Sequence, residues 1–215
     1  MAHTGQIPKA AIYRLSLYLR QVAELSEKGT KTISSSKLAN LLGLTDAQVR
    51  KDLAYFGQFG HPGVGYHVAE LIRELKRILG TDRMWDVVLI GCGNLGRALA
   101  AYAGFARQGF QIVGVFDSAR EKVGGLIGDH AIQPMSELAS TVARTGSRIA
   151  IMCVPPDQAQ KVAEEAVAAG IRGLLNFAPT SITVPAHVVE NSVDLAIRLE
   201  QLSFQLRTMS EKPEA

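Results

Sequence analysis

Three glycines and one aspartate have the types and spacing needed to hold the phosphates and a ribose of a dinucleotide. Gly91, Gly93 and Gly96 form the pattern Gly-x-Gly-x-x-Gly, and Asp117 lies 21 positions after the third glycine. The first glycine permits a tight turn, the second lets the backbone approach a pyrophosphate, and the third lets a helix pack closely on a strand. The Asp117 carboxylate can accept hydrogen bonds from ribose hydroxyls and would repel a 2′-phosphate, so the motif favours NAD(H) over NADP(H).

The segments around this motif match a βαβ unit. Residues 87–90 form a continuous apolar run, as expected for a strand buried on both faces, and residues 110–116 form a second strand that ends at Asp117. Residues 97–102 between them have a helical pattern, and the pyrophosphate would lie at the N-terminus of this helix. The alternative interpretation is that the glycines only close a strand-to-helix turn and that Asp117 caps the next helix.

The rest of the second half continues the alternation of strands and helices. Residues 148–154 and 173–177 are predicted strands, residues 134–143 and 158–169 are predicted helices, and a short strand is expected within residues 127–132. The predicted fold class is α/β, with a doubly wound Rossmann sheet whose ligand lies beyond the carboxyl ends of the strands. The predicted cofactor-binding residues lie in the glycine loop and at these ends: Gly91, Cys92, Gly93, Asn94, Leu95, Gly96, Asp117, Val154, Pro155, Asn176, Phe177, Ala178 and Pro179.

Composition and charge restrict the class of protein. The 215 residues include no apolar run of membrane-spanning length and no apolar signal segment, so we expect a cytoplasmic protein without membrane association. The two cysteines, Cys92 and Cys153, lack zinc-ligand spacing, and no metal is expected. Residues 1–80 carry 11 basic and 6 acidic side chains, whereas residues 81–215 carry 12 and 14. This asymmetry points to a polyanion partner for the first segment, although a solvated basic face would give the same count.

The basic N-terminal segment has the pattern of a helix-turn-helix. A first helix begins near Pro8, a second is capped by the serines at 34–36 and ends at Gly43, and a third runs from Asp46 to about Phe56 behind the cap Thr45. Two helices joined by a short turn that contains glycine are typical of DNA-binding domains. The alternative is a small helical packing domain.

Residues 57–68 follow the third helix and contain many glycines, which predicts a hairpin in the position of a wing. A fourth helix is expected over residues 68–79. DNA contacts are predicted at the start of the second helix, on the third helix and on the wing, where His61 and Tyr66 would enter a minor groove. The predicted DNA-binding residues are Ser35, Gln48, Arg50, Lys51, Tyr55, His61, Gly63 and Tyr66.

A terminal helix is predicted from Asn191 to about Arg207, with apolar residues on more than one face. Such a helix must bury surface against two neighbours, which suggests insertion into a partner subunit. The alternative is a helix clamped between two domains of its own chain. The predicted domains are therefore residues 1–80 (winged helix), 81–190 (Rossmann) and 191–215 (swapped helix and tail).

The combination of these motifs resembles the redox-sensing transcriptional repressor family Rex. The resemblance rests on residues 48–53, 55–57, 63–66, 91–96, 115–117, 176–179 and 202–204, and it covers nearly the whole chain. It implies a homodimer that binds palindromic double-stranded DNA operators and senses NADH and NAD⁺ as regulatory ligands. NADH would release the operator and derepress genes of respiration and fermentation.

The resemblance also implies a switch of three residues. Tyr102, on the helix after the glycine loop, would contact Asp194 of the partner's swapped helix in the NADH-bound state. In the DNA-competent state Asp194 would pair instead with Arg20 of the N-terminal helix. Tyr102 thereby also belongs to the cofactor site. The alternative is that Asp194 only caps the terminal helix.

A small NAD-dependent dehydrogenase is the rival interpretation. Only 36 residues follow Pro179, too few for a substrate domain, and neither a Tyr-x-x-x-Lys pair nor a His/Arg constellation stands at the strand ends. We therefore expect a regulator and not an enzyme. A separate hypothesis is that Cys92 and Cys153 lie close together and respond to peroxide, and the alternative is two inert buried thiols.

Overall fold

The chain divides into two compact units, Met1–Arg83 and Met84–Ala215. The computed structural model describes residues 7–57, 59–61 and 63–210, and the tail at 211–215 lies outside these ranges. The boundary falls three residues after the one predicted at 80/81, and the terminal helix belongs to the second unit. No helix within the described ranges has the length and apolar character that crossing a membrane requires.

The first unit contains four helices and a small sheet among its described residues. The antiparallel sheet has the order β1-β3-β2. The elements are α1 (Lys9–Glu27), β1 (Thr32–Ile33), α2 (Ser35–Leu42), α3 (Asp46–Ala54), β2 (Gly60–His61), β3 (Gly65–His67) and α4 (Val68–Leu79).

Local sequence signals position α2 and α3. The Ser34 hydroxyl accepts a hydrogen bond from the Lys37 amide, and the Thr45 hydroxyl accepts one from the Gln48 amide. Gly43 adopts a left-handed conformation with φ of 65°, which glycine tolerates and which ends α2. These caps confirm the predicted helix-turn-helix boundaries to within two residues.

The first core gathers apolar side chains from every helix of the unit. Tyr18 and Leu15 of α1 are fully buried, whereas Ile12 is exposed. Ala11 takes the buried position next to it. The remaining core is formed mainly by Leu19, Val22, Ile33, Leu38, Val49, Leu53, Tyr66, Leu71 and Leu75.

The second unit is a seven-stranded sheet with helices between its strands. The strand order is β10-β9-β8-β4-β5-β7-β6, and all pairs are parallel except β6 with β7. The elements are β4 (Trp85–Ile90), α5 (Asn94–Ala100), α6 (Gly104–Arg107), β5 (Phe110–Asp117), β6 (Leu126–Ile127), β7 (His130–Pro134), α7 (Leu138–Thr145), β8 (Ile149–Met152), α8 (Pro156–Ala168), β9 (Gly173–Asn176), β10 (Val189–Ser192) and α9 (Leu195–Ser210).

Three predicted boundaries in this unit are wrong. Residues 126–134 form a hairpin rather than one short strand. Asn191 and Ser192, expected in the terminal helix, lie in β10, because they pair through the backbone with β9 and the helix starts only at Leu195. Tyr102 lies beyond α5, since the bond from its amide to the Leu99 carbonyl closes the helix in a tight turn.

Candidate dinucleotide and nucleic-acid sites

The sheet topology creates a cleft at the end of β4. From β4 the chain passes to β5 and β7 on one side and later to β8, β9 and β10 on the other, so the strand order reverses between β4 and β8. In doubly wound sheets this reversal marks the ligand crevice. A cavity of about 630 Å³ lies there. Nine of the predicted residues line it: Gly91, Cys92, Gly93, Asn94, Leu95, Asp117, Val154, Pro155 and Phe177.

The three glycines of the loop have distinct roles. At Gly91 φ is +100°, and an added Cβ would lie 2.3 Å from the Cys153 carbonyl oxygen of the neighbouring strand end. At Gly96 an added Cβ would collide with the Gly91 carbonyl oxygen, so the helix and the turn touch through bare backbone. At Gly93 no atom of the described residues, its chain neighbours aside, lies within 4 Å of an added Cβ, which leaves open space beside the backbone for a ligand. The turn at Gly91 and the close packing at Gly96 are as the sequence predicted, and the contact of Gly93 with a pyrophosphate stays a prediction.

Asp117 is buried and already bound to its own protein. Its Oδ2 accepts hydrogen bonds from the Cys92 amide (2.7 Å) and the Lys122 ammonium (3.0 Å), and its Oδ1 accepts one from the Ala119 amide (2.8 Å). Burial alone would raise the pKa of Asp117, but these hydrogen bonds and the Lys122 charge outweigh it and lower the pKa. The carboxylate therefore stays ionised and ties the glycine loop to the end of β5, in addition to its predicted contact with ribose.

Besides Ser118, four polar residues in the cavity wall were not predicted. They are Lys122, Gln158, Lys161 and Glu165. Lys122 lies five positions after Asp117. The other three residues lie on α8, which begins at Pro156, shortly after the end of β8. The start of a helix at a strand end was the sequence feature that could have indicated them. Both ammonium groups lie beside carboxylates, since Lys122 is 3.0 Å from Asp117 and Lys161 is 4.0 Å from Glu165, so the charges of the wall are paired.

Five predicted cofactor residues lie outside the cavity wall: Gly96, Asn176, Ala178, Pro179 and Tyr102. Asn176 is buried, and its amide serves the backbone by donating to the Thr180 carbonyl and accepting from the Ala178 amide. These two hydrogen bonds give Asn176 a structural role in the turn at 176–180 that requires no ligand. Ala178 is buried and Pro179 is exposed. The Tyr102 ring is 59% exposed and packs edge-on against Phe105.

The two thiols lie at the ends of the neighbouring strands β4 and β8, and both line the cavity. Burial raises the pKa of Cys92 to about 11, and the nearby Asp117 charge adds to this. Burial also raises the pKa of Cys153 to about 12. The Cys92 thiol donates a weak hydrogen bond to the Phe116 carbonyl, as a protonated thiol would.

We expect both cysteines to react slowly, which argues against the peroxide hypothesis. Because the thiolate is the reactive form, alkylation of the folded protein at pH 7 should be about 100-fold slower than that of a free thiol. Thiol titration before and after mild peroxide treatment should give the same count, with urea-unfolded protein as the rapidly reacting control. A loss of free thiol in the folded protein would restore the hypothesis.

In the first unit, α2 and α3 form the predicted helix-turn-helix. Arg50 and Lys51 are exposed on α3. Arg50 is held by Asp46 one turn earlier (2.7 Å) and by the Ser35 hydroxyl at the start of α2 (3.2 Å). This arrangement brings Ser35 and Arg50 together, as expected for residues of one DNA-binding surface, while Tyr55 is half-buried after the end of α3.

A buried carboxylate that the sequence analysis missed organises the same helix. Asp52 is buried, and its two oxygens accept hydrogen bonds from Arg14 (2.6 and 2.8 Å), Tyr18 (2.8 Å) and Gln48 (2.8 Å). Burial would raise the pKa of Asp52, but its three partners lower it. Arg14 and Tyr18 stand four residues apart on α1, so the network attaches α3 to α1. The four-residue spacing of Arg14 and Tyr18 was the sequence feature that could have indicated this network.

The predicted wing forms, with one correction. His61 and Gly63 are exposed at its tip, and the His61 ring packs at a tilt against His67. Tyr66, expected to enter a minor groove, instead points into the core. Side chains alternate along a strand, so the residue between Gly65 and His67 of β3 faces inward.

Of the three residues of the implied switch, Arg20 lies in the first unit, and Tyr102 and Asp194 lie in the second. Arg20 is exposed on α1, in the first unit. Asp194 caps α9, because its Oδ1 accepts hydrogen bonds from the amides of Ala196 (2.8 Å) and Ile197 (3.4 Å). The capping alternative for Asp194 is therefore observed, and the switch contacts stay a prediction.

Comparisons with known proteins agree with this two-part architecture. Residues 6–54 match the family model described as putative DNA-binding protein N-terminus, and residues 82–180 match the one described as CoA binding domain. The redox-sensing transcriptional repressor Rex of Carboxydothermus hydrogenoformans is 48% identical over 94% of this chain and 97% of its own length. This chain belongs to the Rex family. Rex of Desulforamulus reducens is also 48% identical, over 94% of this chain and 96% of its own length.

Solved structures of a Rex-family repressor called RSP have the same fold. RSP in complex with β-NAD⁺ and operator DNA superposes with a TM-score of 0.90 at 37% identity, over 96% of this chain and 95% of that one. RSP in complex with β-NADH superposes with a TM-score of 0.86 at 36% identity, over 95% and 96%. Membership of the Rex family places this chain among transcriptional repressors and does not favour the dehydrogenase alternative.

Proposed function

We propose that this chain is a Rex repressor that binds palindromic operator DNA as a homodimer and leaves it when NADH binds. It would thereby sense the NADH/NAD⁺ ratio and control genes of respiration and fermentation, in the cytoplasm where this ratio is set. One observation carries the proposal: the RSP complex that holds both β-NAD⁺ and operator DNA matches 96% of this chain. The match includes both the helix-turn-helix and the glycine-loop cleft.

The DNA contacts are assigned to the helix-turn-helix and the wing. The middle of α3 carries the exposed cations Arg50 and Lys51, on the helix that reaches base edges and phosphates in a helix-turn-helix. The exposed glycine at 63 allows the wing to approach a DNA backbone closely. The excess of basic residues in this unit supports the same assignment.

The cofactor is assigned to the cleft at the end of β4. NAD⁺ and NADH differ by one charge on the nicotinamide ring, so apolar walls favour the neutral reduced form. Val154 and Phe177 contribute such walls at the ends of β8 and β9, while the open space beside Gly93 is available for the phosphates. Binding would need to favour the released state by about 5.5 kcal/mol to change the operator-bound fraction from 99% to 1%.

The homodimer is assigned to α9. Every described side chain from Leu195 to Thr208 is exposed, including six large apolar ones: Leu195, Ile197, Leu199, Leu202, Phe204 and Leu206. A helix with this much exposed apolar surface is typical of a subunit interface. In the dimer, Asp194 of one chain would contact Tyr102 or Arg20 of the other, as the Rex switch implies.

We expect a charge on α9 to separate the subunits. Phe204→Glu places a carboxylate in the apolar surface, so it should convert a dimer into a monomer in sedimentation equilibrium at micromolar concentration. Glu200→Gln, a change on the same helix without an apolar side chain, is the control and should stay dimeric. A wild-type protein that is monomeric under these conditions would contradict the assignment.

Asp117→Ala tests the division of labour between the two units. Loss of the carboxylate should weaken NADH binding at least tenfold, because both the ribose contact and the tie to the Cys92 amide disappear. Operator binding without NADH should be unchanged in fluorescence anisotropy at fixed salt. Glu121→Ala removes an exposed carboxylate from the same loop and should behave like the wild type. If Asp117→Ala also abolishes operator binding, the proposed division is wrong.

A further inference from the structure

The Gln48 side chain has a fixed orientation on the surface where operator bases are contacted. Its Nε2 donates to Oδ1 of Asp52 at 2.8 Å. An ionised carboxylate accepts hydrogen bonds but cannot donate them, so the amide must turn its nitrogen toward Asp52. No donor within the described part of the chain bonds the Gln48 Oε1.

Asp52 cannot release this amide easily, because its bonding capacity is full. A carboxylate offers about four acceptor sites. Oδ1 takes Nη2 of Arg14 together with Gln48, and Oδ2 takes Nε of Arg14 together with the Tyr18 hydroxyl. The bidentate guanidinium keeps the carboxylate ionised and in place. The Gln48 amide is therefore held in place by a hydrogen-bond network that extends from α3 to α1.

The position of Gln48 on α3 makes this orientation consequential. Gln48 is the third residue of α3, is half-buried and lies two residues before Arg50. This is the segment from which a recognition helix contacts base edges. With Nε2 held from behind, the Oε1 acceptor and the second N–H remain for the DNA. In the major groove only adenine and cytosine offer an exocyclic amine to an acceptor, and adenine also offers N7 to a donor.

We propose that Asp52, through its bond to Gln48, makes Gln48 select a base with an exocyclic amine in the major groove, adenine foremost. Guanine and thymine offer an acceptor to the second N–H but leave Oε1 without a donor, so they bind less tightly than adenine. Asp52 is thus a positioning residue for specificity, and Gln48 is the residue that touches the base. This inference rests on the operator-binding function proposed above.

The test is selection from palindromic duplexes with randomised half-sites, using full-length wild type, Gln48→Ala and Gln21→Ala. The last variant makes the same change on α1 and should match the wild type. At one position in each half-site, the wild type should prefer adenine or cytosine about fivefold to tenfold, and Gln48→Ala should lose that preference. Enrichment of adenine would indicate both hydrogen bonds, and enrichment of cytosine would indicate Oε1 alone.

A base analogue then tests the contact itself. Purine, which lacks the 6-amino group of adenine, is placed at the identified position. It should weaken wild-type binding but leave the binding of Gln48→Ala unchanged, because that variant has no side chain to contact the amino group. An unchanged base profile in Gln48→Ala, or a preference for guanine or thymine at the affected position, would overturn the inference. Failure of the wild type to select any duplex would instead overturn the proposed function itself.

Discussion

Gly91→Ala is expected to abolish NADH-dependent operator release and to destabilise the second unit by about 3 kcal/mol. The added methyl group would meet the Cys153 carbonyl oxygen at 2.3 Å, at a φ of +100° that alanine rarely adopts. The turn must therefore shift, and the amide of Cys92 moves away from Asp117. Urea denaturation of the variant and NADH titration of its operator complex measure the two effects.

Gly93→Ala is the matched control and separates the ligand from the fold. Its φ of −74° suits alanine, and no protein atom lies within 4 Å of the added Cβ. The free energy of unfolding should stay within about 0.5 kcal/mol of the wild type. NADH affinity should nevertheless fall at least tenfold, because the methyl group occupies space assigned to the pyrophosphate. Unchanged NADH affinity in Gly93→Ala would show that the pyrophosphate lies elsewhere.

Asp52→Ala is expected to destabilise the first unit by about 3 kcal/mol or more and to abolish operator binding. The change removes the carboxylate that joins Arg14, Tyr18 and Gln48, and it leaves a partly buried guanidinium without this partner. Urea denaturation and operator anisotropy measure the two losses. Asp46→Ala removes an exposed carboxylate from the same helix and should cause no measurable loss of stability. Equal stability of both variants would contradict the role given to the network.

The same carboxylate predicts a pH dependence with a definite sign. The folded-state pKa of Asp52 is lowered relative to its usual value, so the network stabilises the fold fully above about pH 4. This contribution is lost as the pH falls through the lowered folded-state pKa. The wild type should therefore lose stability on acidification more steeply than Asp52→Ala, when unfolding midpoints are compared between pH 5 and pH 2.

Signals confined to a few neighbouring residues allowed the sequence to predict much of this structure. The caps Ser34, Gly43 and Thr45 and the glycine loop depend on local backbone chemistry, and the structure confirms them. The apolar runs of β4 and β5 predicted the buried centre of the sheet. The family resemblance then joined the two halves into one function.

Features that depend on distant partners were missed. β10 has little apolar character and exists because its backbone pairs with β9. The Asp52 network joins residues 34 and 38 positions apart, so nothing near Asp52 in the sequence indicates a buried charge. Asn176 and Tyr66 have residue types that suit ligand contacts, yet packing directs both side chains inward.

The most direct test of the account is fluorescence anisotropy of the wild-type protein on a palindromic operator from its own promoter region. The measurement is made at fixed salt, because affinity for DNA depends on it, with NADH and then NAD⁺ as titrant. The account predicts that NADH releases the operator and that NAD⁺ at the same concentrations does not. Operator binding that is indifferent to both nucleotides would contradict redox sensing and leave the second unit as a dimerisation domain or a sensor of another ligand.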